Sequence, residues 1–375
     1  MDFAVSEFEQ RTTRAQKLMY EQGIDALFLM SEPEVRYFTG FRTLFWQSPT
    51  RPWFLIVPAK GKPIAIVPEI GAPLMRQTWL DDVRTWASPD ESDDGRSLVT
   101  AELKKHSNVG VMMGRESQLR MSLVDFQQIR LDLTSTRFVD VSQLIADLRF
   151  VKSEAEIDIL GQICGLACRA FDRAPQLFHQ GQPLNEVFRN FKIELLKQGA
   201  EEVPYLVGGA GAAGYGDVIS PPSVDPIRGG DVLMLDTGAT LKGYFCDFDR
   251  NFSVGEPVDA VKRAQETLWL ATEAGLAAAR PGATCSDVFV AMRNVIGPSA
   301  GNVGRYGHGL GIQLTETPSL IDWDQTVLQE GATITLEPSM EVQPGYMLVH
   351  EENIVIRDGL PQLLTKRAPR QMMRI

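Results

Sequence analysis

The chain has 375 residues, 44% of them hydrophobic, and a formal net charge of −11. That length has room for two ordinary domains or one large one. Its acidity argues against a nucleic-acid partner, which needs a basic face. No apolar run approaches the roughly 18 residues of a membrane span. The opening MDFAVSEFEQ lacks the basic-then-apolar order of a secretory leader.

In chain order, Glu7 to Gln22 carries Phe8, Ala15, Leu18 and Met19 at helical spacing and stops at Gly23. A buried strand is expected over Asp25 to Met30, followed by a turn at Ser31-Glu32-Pro33. Two further strands are expected at Trp53 to Val57 and Pro63 to Val67, a loop at Ser88 to Arg96, and a strand at Asn108 to Met113. This alternation describes an α/β domain over residues 1–150, without a phosphate-cradling glycine loop. The aromatic residues Phe38, Phe41, Phe45, Trp46 and Trp53 read mainly as its core.

Near Leu148 to Ser153 the pattern changes to long helices, which places a domain boundary near residue 150. Ser153 with Glu156 forms a capping-box sequence for a helix running to about Phe178. Leu184 to Gln198 is expected as another helix, then Val258 to Arg280, then one capped by Ser286 and ending near Ile296. A glycine-rich piece, Gly301 to Gly311, precedes two strand-like stretches, Ala332 to Met340 and Tyr346 to Ile356.

Between the helices lies Asp231 to Gly255, DVLMLDTGATLKGYFCDFDRNFSVG. Val232 to Leu235 reads as a buried strand ended by Asp236, with a turn at Thr237-Gly238. A returning strand from Gly243-Tyr244 carries Asp247, eleven residues after Asp236. Two facing carboxylates repel, so one takes a proton or a metal lies between them. The alternative is a surface hairpin with solvated acids, since Asp is common in turns.

His308, Glu337 and Glu351 are equally out of place among apolar or glycine-rich neighbours, where an acid is costly to bury unless paired or metal-bound. Four carboxylates and one imidazole suit two divalent cations. There are four histidines in all, which limits any histidine-based chemistry. The four cysteines form no CxxC pair and read as buried thiols in a reducing cytoplasm.

The segments LDTGA, GYFCDFDRNF, GHGLG, TLEPSM and VHEEN resemble, in order, the motifs of the M24 metallopeptidase family of prolidase, aminopeptidase P, creatinase and methionine aminopeptidase. IDALFLMSEPEVRYFTGF resembles the amino-terminal domain of prolidase and creatinase, and LRFVKSEAEI its junction with the catalytic half. The resemblance implies an α/β (α+β) pita-bread catalytic domain over 151–375. It also implies metal ligands Asp236, Asp247, His308, Glu337 and Glu351, and commonly a homodimer. Of the adjacent Glu351 and Glu352, strand alternation lets one face the metals, and Glu351 is chosen.

The sequence departs from that family at several points. The second histidine, seven residues after the ligand histidine, is Thr315, with Glu316 and Pro318 kept. The histidine expected seventeen residues before the first aspartate is Ile219. The arginine two residues before the last glutamate is Val349, and the threonine after the second aspartate is Asp249.

The expected function is therefore a cytoplasmic hydrolase using two divalent ions (Mn, Co, Zn or Fe) on a C–N bond, Xaa-Pro dipeptidase-like by family default. Glu337 would shuttle the proton, with Tyr306 and Asp249 as further catalytic candidates. The expected substrate is a dipeptide or small molecule. One alternative is a non-peptidase branch acting on a small zwitterionic metabolite, by creatinase-like hydrolysis or dimethylsulfoniopropionate-type elimination. Another is a binding pseudoenzyme, against which the complete ligand set argues.

Overall fold

The computed structural model describes residues 2–48, 51–297 and 304–375. Gly301 to Val303 of the glycine-rich piece therefore lie outside the described residues. The chain divides into two compact units, Met1–Arg149 and Phe150–Ile375. Among the described residues no helix is long and apolar enough to cross a membrane.

The first unit is built on a six-stranded mixed sheet: β1 (Ala26–Leu29), β2 (Phe54–Pro58), β3 (Ile64–Pro68), β4 (Asp82–Trp86), β5 (Asn108–Val111) and β6 (Arg137–Asp140), ordered 4-3-2-1-5-6. The helix Val5–Gln22 ends at Gly23, whose φ of 66° is the left-handed stop its sequence announces. Ser31-Glu32-Pro33 does not merely turn the chain. It opens the helix Glu32–Thr39, with proline in the first turn, where its missing N–H costs nothing. Phe38, Phe41, Trp46 and Trp53 are buried, whereas Phe45 is exposed.

The second unit holds β7 (Glu202–Gly211), β8 (Val232–Leu241), β9 (Tyr244–Phe245), β10 (Phe248–Ser253), β11 (His308–Gly309), β12 (Glu316–Ser319), β13 (Thr333–Leu336), β14 (Ser339–Gln343), β15 (Tyr346–Val349) and β16 (Glu352–Val355). Two helix pairs cover its sheets. Glu154–Asp172 and Leu184–Gln198 share one core with Leu233, Leu235, Phe248 and Phe252. Asp259–Ala278 and Cys285–Ile296 share a second with Val232, Met234, Ile334, Leu336 and Ile354. The two-residue period of β8 thus sends odd-numbered side chains to one core and even-numbered ones to the other.

Ser153 and Glu156 form the capping box expected of them. That helix stops at Asp172, and Pro175 begins a separate turn, Ala174–Leu177. The helix assigned to Ser286 is capped instead by Thr284, through a reciprocal box with Asp287.

The largest correction concerns Thr237-Gly238, which is not a turn. β8 runs through both residues to Leu241, and the chain reverses at Lys242-Gly243, where φ is 49° and 75°. Two successive positive φ values suit a tight hairpin between twisted strands. Gly238 is small for a packing reason: a Cβ there would lie 2.4 Å from the Leu314 side chain and 3.0 Å from Tyr205 Cβ.

Candidate metal centre

Strand register explains how acids far apart in sequence meet. β8 and β10 pair antiparallel with Asp236 opposite Asp249, and Asp247 lies just before β10. β13 pairs with β16 through Leu336 and Glu352, and β14 with β15 through Ser339 and Val349. The interruptions between those strands are Glu337-Pro338 and His350-Glu351, so the same register sets Glu337 across from Glu351. β11 joins β13 at Gly309 and Ile334, and the His308 amide donates to Thr335 Oγ1 at 3.2 Å. That brings His308 to the end of the strand that delivers Glu337.

Asp247, His308 and Glu351 are buried, each offering one ligand atom within 4.8 Å of the others. His308 Nε2 lies 3.3 Å from Asp247 Oδ2. His308 Nδ1 lies 2.9 Å from the Gly309 carbonyl, a bond only a protonated Nδ1 makes, so Nε2 is left with its lone pair. Burial lowers the pKa of His308, which favours this neutral form.

The carboxylates are not all satisfied by protein partners. Asp236 Oδ2 accepts from the Tyr205 hydroxyl at 3.1 Å, while Asp236 Oδ1 and Glu351 Oε1 are buried without a partner among the described residues. Burial first, then the charge of Asp247, raises the Asp236 pKa. Burial and Glu337 do the same for Asp247. Glu351 is raised by burial and by Glu337, Asp247 and Asp236. Glu337, part-exposed, is pushed up to about 7 by burial and Asp236, against His308 and Arg305. Buried acids with orphan oxygens, mutually raised and next to a neutral imidazole with a free lone pair, form an oxygen-rich donor set that divalent cations complete.

Glu352 is a different kind of residue from its neighbour. It is fully buried, yet its oxygens accept from Arg250 at 2.9 Å, Arg367 at 3.1 Å, the Ala368 amide at 2.7 Å and the Thr365 hydroxyl. Burial works to raise its pKa, but Arg250 and the rest of this cage hold it below the ordinary value.

The cage and the site share their framework. Arg250 also donates to the Asp249 and Glu351 carbonyls, at 2.6 and 2.8 Å. Asn353 accepts from the Asp247 amide at 3.0 Å and donates to the Asp247 carbonyl. Asn353 thereby fixes the loop that bears Asp247 and accepts in turn from Cys164 Sγ.

These features are matched in known proteins. Residues 158–358 fit the model of metallopeptidase family M24, and residues 11–151 fit the Creatinase/Prolidase N-terminal domain. The chain belongs to metallopeptidase family M24. It is accordingly a metal-dependent hydrolase. It is 25% identical to an Xaa-Pro dipeptidase of Pyrococcus horikoshii, over 93% of this chain and 95% of that protein. It is 27% identical to the probable dipeptidase PepE of Mycobacterium tuberculosis, over 94% and 93%. The fold superposes on dipeptidase PepE from Mycobacterium ulcerans with a TM-score of 0.86 at 24% identity, covering 100% of this chain and 99% of that one.

Several family positions look different in this M24 chain. Ile219 is 80% exposed, and Thr315 is exposed as well. Tyr306, expected as an acid or donor, has its ring in the hydrophobic core, 4.9 Å from that of Phe289. Its contribution to the site is backbone: its carbonyl accepts from the Glu337 amide at 2.9 Å. Asp249 does lie beside Asp236 and is 2% exposed. Sequence reasoning missed Tyr205, Asn353 and Arg305, the cation whose field reaches Asp247, His308 and Glu337.

Proposed function

We propose that this chain is a dinuclear hydrolase that cleaves the peptide bond of a dipeptide-sized substrate, Xaa-Pro dipeptides being the first class to try. The observation that carries the reading is the buried group Asp247, His308 and Glu351, with an orphan oxygen on Glu351 itself and another on Asp236, whose charge interacts with Asp247 and Glu351. Asp236, Asp247, His308, Glu337 and Glu351 would hold two divalent ions, Mn, Co, Zn or Fe, since an oxygen-rich set does not select sharply among them. Such ions supply polarisation of a carbonyl and activation of water at neutral pH.

The protein side of the chemistry rests on named groups. Glu337, part-exposed among these acids, would take the proton of the attacking water on its carboxylate and return it to the departing amine. Tyr205 orients Asp236, and Asn353 orients Asp247. Arg305, whose charge reaches Asp247, His308 and Glu337, would be the cation for a substrate carboxylate. The four free buried thiols suit a reducing cytoplasm, and the family relationship suits a homodimer, for light scattering to test.

A second reading keeps the metal centre and changes the substrate. Ile219 and Thr315 supply no imidazole where prolidases usually place one, which favours a small zwitterionic metabolite. One experiment separates the two. Metal-loaded protein is incubated in ¹⁸O-water with Xaa-Pro dipeptides and with small zwitterions, and products are weighed by mass spectrometry. Peptide hydrolysis puts one solvent oxygen into the released acid and stops with a chelator. Turnover of the zwitterions alone, or an unsaturated product without label, sinks the dipeptidase reading.

A further inference from the structure

Asp249 occupies a place where this chain has one acid more than the five candidate ligands require. Its Cα is opposite that of Asp236 in the β8–β10 pair. Directly paired residues project to the same side of a sheet, with Cβ atoms about 5 Å apart. The packing agrees: Phe248 and Phe252 point into the core shared with Leu233 and Leu235, whereas Val232 and Met234 face the other way. Asp236 continues the second set, and Asp249 and Asn251 match it from β10.

The two oxygens of Asp249 are treated differently. Oδ2 accepts from Asn251 Nδ2 at 2.9 Å, and Asn251 is itself held, donating to the Val349 carbonyl at 2.6 Å and accepting from the Tyr215 hydroxyl at 3.2 Å. That hydroxyl accepts from the Val349 amide at 2.5 Å, which completes the chain of bonds. Oδ1 has no partner among the described residues, although the side chain is 2% exposed. Asp236 repeats the pattern, with Oδ2 tethered to Tyr205 and Oδ1 bare. Two unpartnered buried carboxylate oxygens on neighbouring side chains are costly unless a proton or a cation answers them.

We propose that Asp249 belongs to the metal centre: Oδ1, on the same face of the sheet as Asp236, would be its cation-facing oxygen, and Oδ2 is its tether through Asn251. This rests on the dinuclear reading above. With Asp236, Asp247, Glu337 and Glu351 it makes five carboxylates, one negative charge more than two divalent ions neutralise. The excess charge would strengthen the hold of this set on divalent cations.

The test measures metal binding directly. Mn²⁺ and Co²⁺ affinities of the full chain are read by competition with a chelating dye, and melting is followed with and without EDTA. Asp249→Asn keeps the shape and still accepts from Asn251. Its Mn²⁺ affinity falls about tenfold or more, its metal-free melting temperature stays level or rises, and the metal-induced rise shrinks. A purely structural role predicts the reverse, a lower metal-free melting temperature with affinity within about twofold of wild type, and that result overturns the proposal. If Asp249→Asn fails to fold, Asp249→Ser is read by the same two criteria. Asp236→Asn serves as the reference. If it binds metal like wild type, the dinuclear reading fails. If it weakens binding and the Asp249 variants do not, only this inference fails.

Discussion

Glu351 and Glu352 are chemically identical neighbours with opposite fates. One has a buried oxygen without a partner and a raised pKa, while the other is caged by Arg250, Arg367, Thr365 and a backbone amide. Removing one member of a buried ion-pair network costs about 3–5 kcal/mol, because its partners stay buried and charged. Glu352→Gln is therefore expected to lower the melting temperature sharply while the folded fraction keeps its metal content. Glu351→Gln is expected to do the opposite, losing metal by elemental analysis with little loss of metal-free stability. Equal metal loss in both variants would contradict the distinction. The acids were legible in the sequence because a carboxylate in an apolar strand has few cheap explanations. Tyr205, Asn353 and Arg305 were not, since each is ordinary in its local context and gains its meaning from strands far away in the chain.

At the scale of elements, β8 shows where local rules mislead. Thr237-Gly238 has turn composition, yet both residues are in the strand, and position 238 is glycine because Leu314 and Tyr205 leave no room for a Cβ. The reversal falls to Lys242-Gly243, where positive φ is required. Gly243→Ala is expected to cost about 1 kcal/mol through that backbone strain, seen as a lower denaturant midpoint with metal stoichiometry unchanged. A fall in metal content would mean that the hairpin does more than join strands. Helix ends were readable where a single cap competes, as at Ser153. They were misread where two fit: Thr284 wins over Ser286 because Asp287 can reciprocate from the third helical position. The breaks at Glu337-Pro338 and His350-Glu351 were hidden inside apolar runs that look continuous, and register shows that they coincide.

For the molecule as a whole, the site links stability to protons and to metal. Asp236, Asp247 and Glu351 have folded pKa values raised by burial and by one another, and Glu337 stands at about 7. A raised carboxyl pKa means that the folded chain binds more protons than the unfolded one, so stability falls as pH rises through the window between the two values. His308 and His350 have lowered values, the latter about 3, so their cost appears only below the ordinary histidine range. Melting of the metal-free protein is therefore expected at a higher temperature near about pH 6.5 than near about pH 8, on either side of the Glu337 value, with Mn²⁺ erasing or reversing the difference, because cations displace those protons. An identical pH trend with and without Mn²⁺ would contradict the linkage. The central claim, that two strand pairs and His308 build one dinuclear centre, is tested most directly by anomalous diffraction from Mn²⁺-loaded crystals. Two peaks are predicted, bounded by Asp236, Asp247, His308, Glu337 and Glu351, with Glu352 still paired to Arg250. A chain that crystallises without a peak there, or with one at Glu352 instead, would contradict the account.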